Sequence, residues 1–310
     1  MRAAVVTEFG PPEVIQIRDV DDPGPPAADE VRMRVLATGV NPVDAKLRQG
    51  LGVLPPDVSL PYVTGREAAG VVTAAGDASG FAAGDAVYSL FRWSSRPGGA
   101  AEALVVPAAL VGRRPADVPV VAAAAVPLAG MTALQTLEQM APPKGATVLV
   151  VGASGGVGTF FVQLAVDAGL DVIGIASGPS LDLVESLGVS SVIDYRDADQ
   201  VAALHDRFRS GAPYVADLVG PAAGDLLAAM VGPETVAYTI ARGTNGSGEP
   251  LPATQLDPNG ADLERLGGLM EDGTLTPVVT AVHPLEDIVE AHRQLDTTHT
   301  RGKVVVTIAD

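Results

Sequence analysis

The chain contains no cysteine among its 310 residues. That excludes a disulfide framework, a thiol nucleophile and any thiolate zinc site, and it suits a reducing cytoplasm. Aromatic residues are scarce at 4%, so the core must be packed with Val, Leu, Ile and Ala. Positive charge is short as well. Twenty Lys and Arg stand against 37 Asp and Glu, a net charge of −17, and the resulting field repels nucleic acid and anionic membrane surfaces. No long hydrophobic run exists. The most apolar window, VPVVAAAAVPLAGM at 118–131, has 14 residues and two prolines, too short to cross a bilayer. The opening MRAAVVTEFGPPEV lacks the apolar stretch of a leader. A cytoplasmic protein acting on a small molecule is expected, with no nucleic-acid or membrane partner.

Glycine (35) and proline (25), by contrast, are plentiful and without a period, which points to many turns and no repeat architecture. Up to residue 118 the chain reads as short β runs between turns: Ala3–Val6, Val31–Thr38, Gly70–Ala75, Ala86–Leu90 and Ala103–Val106. One helix, Val43–Arg48, follows Asn41 and Pro42. The texture changes near 119. Between Pro119 and Leu170 the only charged residues are Glu138, Lys144 and Asp167, and apolar strands alternate with helices. Thr147–Val151, Val157–Ala168, Val172–Ile175, Leu181–Leu187 and Val192–Ile193 form a βαβαβ series. Such strands, apolar on both faces, predict a doubly wound parallel sheet, an α/β fold. Val215–Leu218, Val236–Ile240 and a helix Ala261–Met270 extend it. A strand Pro277–Val282, a helix Leu285–Leu295 and a strand Lys303–Ile308 close the chain. The expected domains are 1–118, 119–274 for the parallel sheet, and 275–310 returning to the first.

One segment carries a chemical signature. Gly152, Ala153, Ser154, Gly155, Gly156, Val157 and Gly158 lie between an apolar strand and an amphipathic helix, where a dinucleotide pyrophosphate sits on backbone N–H groups. The G-x-x-G-x-x-G spacing varies the stricter fingerprint. The next strand ends at Ser177, where an NAD site has a carboxylate for the ribose 2′-hydroxyl. Nothing there repels a 2′-phosphate, which favours NADP. No cation occupies 178–180, however, so Tyr195 and Arg196, after the third strand, are the candidates to hold that phosphate. The turn at Val219 after the fourth strand completes the expected cofactor contacts.

Longer motifs extend the pattern over almost the whole chain: GVNPVDAKLRQG at 39–50, LPYVTGREAAGVV at 60–72, GDAVY at 84–88, VPLAGMTALQTL at 126–137, GATVLVVGASGGVGTFFVQLA at 145–165, LGVSSVIDYR at 187–196 and HTRGKVVV at 299–306. With these the chain resembles the medium-chain dehydrogenase/reductase superfamily and, within it, the zinc-independent quinone oxidoreductase-like branch. The resemblance implies a GroES-like β substrate domain, a Rossmann domain, NADPH in the cleft between them, and a homodimer. Zinc alcohol dehydrogenases of the superfamily carry Cys in the first motif and Gly-His-Glu in the second. Here Asn41 and Arg66 stand at the Cys and His positions and only Glu67 remains, too few ligands for zinc. His205, His283, His292 and His299 lack ligand spacing. No metal is expected.

Without a metal to polarise a carbonyl, hydride transfer to a quinone or an α,β-unsaturated carbonyl is the simplest remaining task. Asn41 is the first catalytic candidate and, by the family's pattern, a contact to the nicotinamide ribose or the substrate; an Asn-Pro helix start is the alternative. Asp44 reads as a helix cap. Thr132 is expected beside the nicotinamide, or in helix packing. Tyr62 and Tyr238 are candidate proton donors, and Phe91, Arg92 and Trp93 candidate pocket walls. VAYTIA at 236–241 is either the strand that pairs across a dimer or an interior strand. A dedicated enoyl or ketone reductase of a biosynthetic pathway, and a nucleotide-binding protein without turnover, remain as alternatives.

Overall fold

The structure is a computed structural model. It describes the chain except residues 52–58, 92–97, 221–223, 225, 227–229, 241–243, 245–248, 298–299 and 309–310. The candidates Arg92, Trp93 and His299 lie outside the described residues, as does the last residue of VAYTIA. The chain divides into two units: Met1–Met131 with Asp257–Gly273 and Pro277–Asp310, and Thr132–Leu256 with Thr274–Thr276.

The first unit is built on β-strands. β1 (Arg2–Val6) lies between β2 (Ile15–Asp19) and, further along the chain, the two residues of β4 (Tyr62–Val63). β3 (Glu30–Val40) is long, and alternate side chains of a strand face one way. Its Val31, Met33 and Val35 point into a core shared with Val72, Leu104, Val106, Ile288 and Val304. β5 (Glu67–Ala75) and β7 (Ala103–Pro107) both pair antiparallel with β3. β6 (Ala86–Leu90) continues from β5, and β8 (Val111–Arg113) from β6. Phe91, expected as a pocket wall, is instead packed in this core, 8% exposed. It follows a strand whose apolar face continues one residue past Leu90.

In the second unit five strands run parallel. β9 (Thr147–Val151), β10 (Asp171–Ala176), β11 (Ser191–Asp194), β12 (Tyr214–Asp217) and β13 (Val236–Thr239) stack in the order β11-β10-β9-β12-β13. Helices Gly156–Asp167, Leu181–Ser186 and Ala198–Arg207 connect them. That is the doubly wound arrangement of a Rossmann domain. The strand order reverses between β9 and β12, and ligands of such sheets bind outside the carboxyl ends of the strands at this switch point.

The tail belongs to the first unit. β14 (Val279–Pro284) pairs parallel with β15 (Lys303–Thr307), which runs antiparallel to the end of β3. Two segments expected in the parallel-sheet domain also sit in the first unit. Helix Gly260–Glu271 buries Leu263, Leu266 and Met270, and the Leu263 carbonyl accepts the Tyr88 hydroxyl. Helix Val120–Ala124 brings the Ala124 carbonyl to 2.7 Å from where a Cβ on Gly39 would stand. The charge-poor stretch that begins at 119 thus finds its first burial against β3, which composition does not reveal.

Candidate active site

The glycine loop is shaped by its own backbone. Gly152 takes φ +82°, in the left-handed region that only glycine adopts readily. A Cβ there would also stand 2.5 Å from Val219 Cγ2. Gly155 N–H donates to Gly152 O at 3.0 Å, closing the turn. Gly158 is one turn into the helix, and a Cβ on it would stand 2.1 Å from Gly152 O, so the third glycine permits the close approach of helix to loop. No side chain caps this helix and its first turn holds no acid. The amino-terminal N–H groups, with the positive end of the helix dipole, remain for an anion. Ser154, Gly156 and Val157 are partly exposed in the same turn.

Beside this loop, β10 ends at Ala176 with Ser177 next, and no carboxylate follows it through Ser180. Tyr195, 46% exposed, is held by its N–H on the Ala176 carbonyl at 3.1 Å. Arg196 returns over the loop: its Nη1 lies 3.8 Å from where a Cβ on Gly178 would stand, and its guanidinium carbon is 5.8 Å from the Tyr195 ring centre. The structure therefore brings together Ser177, Gly178, Tyr195 and Arg196. Asp194, at the tip of β11, accepts the Arg196 backbone N–H at 2.9 Å.

Asp217, unremarked in the sequence reading, organises the other side of the switch point. It is fully buried at the end of β12. Its Oδ1 accepts the N–H groups of Val219 (3.1 Å) and Gly220 (2.8 Å), and its Oδ2 the Thr239 hydroxyl at 2.8 Å. This holds Val219 against Gly152. An acid closing an apolar strand was the available signal. Tyr238 stands in β13, half-buried, paired with Ala216.

The first unit holds a site of a different kind. Asn41 ends β3 and opens helix Pro42–Arg48, with Pro42 at the first helical position. Asp44, three residues on, accepts the Asn41 backbone N–H at 2.9 Å, one half of a capping box. The Asn41 carboxamide is otherwise engaged. Its Nδ2 donates to Glu67 Oε1 at 2.7 Å, and Lys303 Nζ donates to its Oδ1 and, at 2.9 Å, to the same Glu67 oxygen. Glu67 Oε2 accepts the Leu128 N–H at 2.6 Å, at the start of helix Pro127–Met140, which carries Thr132, buried at 7% exposure. Asn41, Asp44, Glu67 and Lys303 are each at most 3% exposed.

Electrostatics follow from this burial. Asp44 has its pKa pushed up to about 7, first by desolvation and then by the Glu67 charge, against the pull of Arg66, the Asn41 hydrogen bond and Lys303. Tyr62 packs in the core beside β1. Burial and the Asp44 charge raise its pKa, while Arg48 opposes them. Asn41 and Asp44 thus meet in one unit, with Tyr62 near Asp44, whereas Tyr238 stands in the other. Lys303 was missed: it reads as the first residue of an apolar strand, and its lone charge ahead of Val304–Val306 was the only hint.

The residues do not fit a zinc ion. Asn41 offers a neutral amide, Arg66 a cation, and both Glu67 oxygens already accept from N–H donors. Among the described residues no group of three or more His, Asp or Glu converges as a metal would require.

The alcohol dehydrogenase GroES-like domain model matches residues 27–116, and the zinc-binding dehydrogenase model residues 187–306. The chloroplast envelope quinone oxidoreductase homolog of Arabidopsis thaliana is 31% identical, over 91% of this chain and 90% of that protein. The NADPH-dependent alkenal/one oxidoreductase of the same plant is 32% identical, over 99% of this chain and 79% of that protein. The structure of the quinone oxidoreductase from Coxiella burnetii superimposes with a TM-score of 0.89 at 26% identity, over 99% of both chains. Among the described residues no helix is long and apolar enough to cross a membrane.

Proposed function

The chain belongs to the quinone oxidoreductase-like branch of the medium-chain dehydrogenase/reductase superfamily, and we propose that it reduces a quinone or an α,β-unsaturated carbonyl with NADPH and without zinc. One observation carries the metal-free part: Glu67, the one residue of the zinc motifs retained that could ligate a metal, is spent on Lys303, Asn41 and Leu128. The acceptor class follows from it. With no Lewis acid, an acceptor that itself spreads the arriving charge is the easiest to reduce, and conjugated carbonyls do so.

Bound NADPH supplies the hydride. Backbone N–H groups of Gly156 to Gly158 receive the pyrophosphate, with Gly152, Gly155 and Val219 shaping the approach. Tyr195 and Arg196 hold the 2′-phosphate, and Ser177 leaves room for it. Asn41 donates an N–H to a ribose or carbonyl oxygen, Thr132 lies by the nicotinamide, and Tyr62 or Tyr238 returns the proton. We assign the protein to the cytoplasm as a homodimer. β13 is a sheet edge whose Thr239 end is already met by the chain's own Pro252 and Thr254, leaving Val236–Tyr238 for a partner strand; a dimer mass by light scattering checks this.

The test is NADPH oxidation with a panel of quinones and enones. Consumption that depends on the acceptor is expected. Tight NADPH binding with no consumption by any acceptor would overturn the enzyme reading in favour of a nucleotide-binding protein.

A further inference from the structure

A carboxamide is flat and nearly symmetric in shape, so packing alone does not decide which end is C=O. The neighbours of Asn41 leave one choice. An ammonium carries only donors and a carboxylate only acceptors, so Lys303 must face Oδ1 and Glu67 must face Nδ2, as they do. With all three residues at most 3% exposed, bulk water is too remote to take over either role.

The hydrogen bonds do not balance. Glu67 Oε1 accepts twice, Glu67 Oε2 accepts Leu128 N–H and Asn41 Oδ1 accepts Lys303, so every acceptor atom of Asn41 and Glu67 is used. One Asn41 N–H and one Lys303 N–H have no acceptor among the described residues. Unused donors held rigidly in a dry site stabilise an oxygen that gains negative charge.

We propose that Lys303 and Glu67 are positioning residues: together they fix the Asn41 carboxamide so that N–H, and not C=O, is its unused end, ready for a carbonyl oxygen that becomes anionic as hydride is added. The proposal rests on the reductase reading and narrows it to acceptors that develop an oxyanion. Lys303 acts through Asn41, as a fixed cation among residues that cannot bind a metal ion.

A purely structural pair, tying β5 to β15, makes a different prediction. Lys303→Met keeps the length of the stem and removes the charge. If the amide is positioned, kcat per NADPH-binding site falls about tenfold, the equivalent of about 1.4 kcal/mol. NADPH affinity stays within about twofold, and Lys303→Arg recovers most of the loss. If the pair only holds strands together, Lys303→Met lowers thermal stability while kcat per binding site stays at the wild-type value; that result overturns the proposal. Should the variant fail to fold, the wild type carries its own signature. The chain has three asparagines, Asn41, Asn245 and Asn259, so asparagine-selective ¹⁵N labelling resolves the Asn41 amide. Two well-separated, slowly exchanging hydrogens are expected; an amide that rotates and exchanges like a free one overturns the proposal. A wild type inactive with every quinone and enone would instead overturn the reductase reading on which it rests.

Discussion

The two candidate sites solve opposite problems. In the second unit the loop from Gly152 to Gly158 is made of backbone, and its side chains matter mainly by being absent. In the first unit the cluster of Asn41, Asp44, Glu67 and Lys303 is made of side chains, three of them ionisable and buried. The first kind tolerates almost no added atom. The second tolerates no lost partner, because removing one leaves another buried and unpaired. Substitutions should therefore fail for steric reasons in one unit and for electrostatic reasons in the other.

The largest effect is expected at Gly158→Ala. Its Cβ would stand 2.1 Å from Gly152 O, a backbone atom that cannot step aside. NADPH affinity should fall by at least about a hundredfold, ~2.7 kcal/mol, in a titration of the purified variant. Wild-type affinity would break the claim that backbone closeness makes this site.

Next comes Asp44→Asn, read as stability against pH. The folded-state pKa of about 7 lies above the carboxylate's ordinary 3.8. Between about pH 4 and pH 7 the folded chain keeps a proton that the unfolded chain has released. Stability from this group is therefore lost as pH rises through that window and levels off above it. The asparagine variant should gain stability over wild type progressively across the same window and hold that gain above pH 7. His292 works the other way. Burial first, and the Arg48 charge second, lower its pKa to about 3, so stability is lost as pH falls from about 6.5 towards 3. The difference between variant and wild type removes that shared background. A gain that does not vary with pH would show that Asp44 is not held protonated by burial.

How far the sequence disclosed these two sites follows from the same contrast. Backbone demands write themselves locally: a left-handed turn and a close approach require glycine at set spacings, so the loop and the βαβ series are legible. A side-chain cluster is assembled by the fold. Lys303 meets Asn41 and Glu67 across 262 and 236 residues, and no local pattern announces it. β2 was overlooked because IQIRD is charged and mostly exposed, and Asp217 because one acid ending a strand resembles a turn residue. The helix at 260–271 was legible as a helix; its place beside β8 was not, since amphipathicity names a buried face and not its neighbour.

A smaller effect is expected at Arg196→Ala. One charge-assisted contact to a 2′-phosphate contributes ~1–3 kcal/mol. NADPH preference over NADH, centred on about tenfold, should be mostly lost while NADH affinity is unchanged. A variant that keeps its preference would show that the phosphate lies elsewhere. Smallest is Gly155→Ala. A Cβ there meets only Gly152 O, at 3.3 Å, and φ is −74°, so NADPH affinity should change by less than about threefold. Set beside Gly158→Ala, it separates glycines needed for closeness from glycines merely present.

Metal-free reduction at this site requires that Glu67 be bound to Lys303 and not to a metal. Elemental analysis of the purified protein, together with acceptor-dependent NADPH oxidation before and after exhaustive chelation, tests this most directly. Zinc well below one per chain and an unchanged rate after chelation are the predicted result. One zinc per chain, with activity lost on chelation and regained on adding zinc, would contradict it.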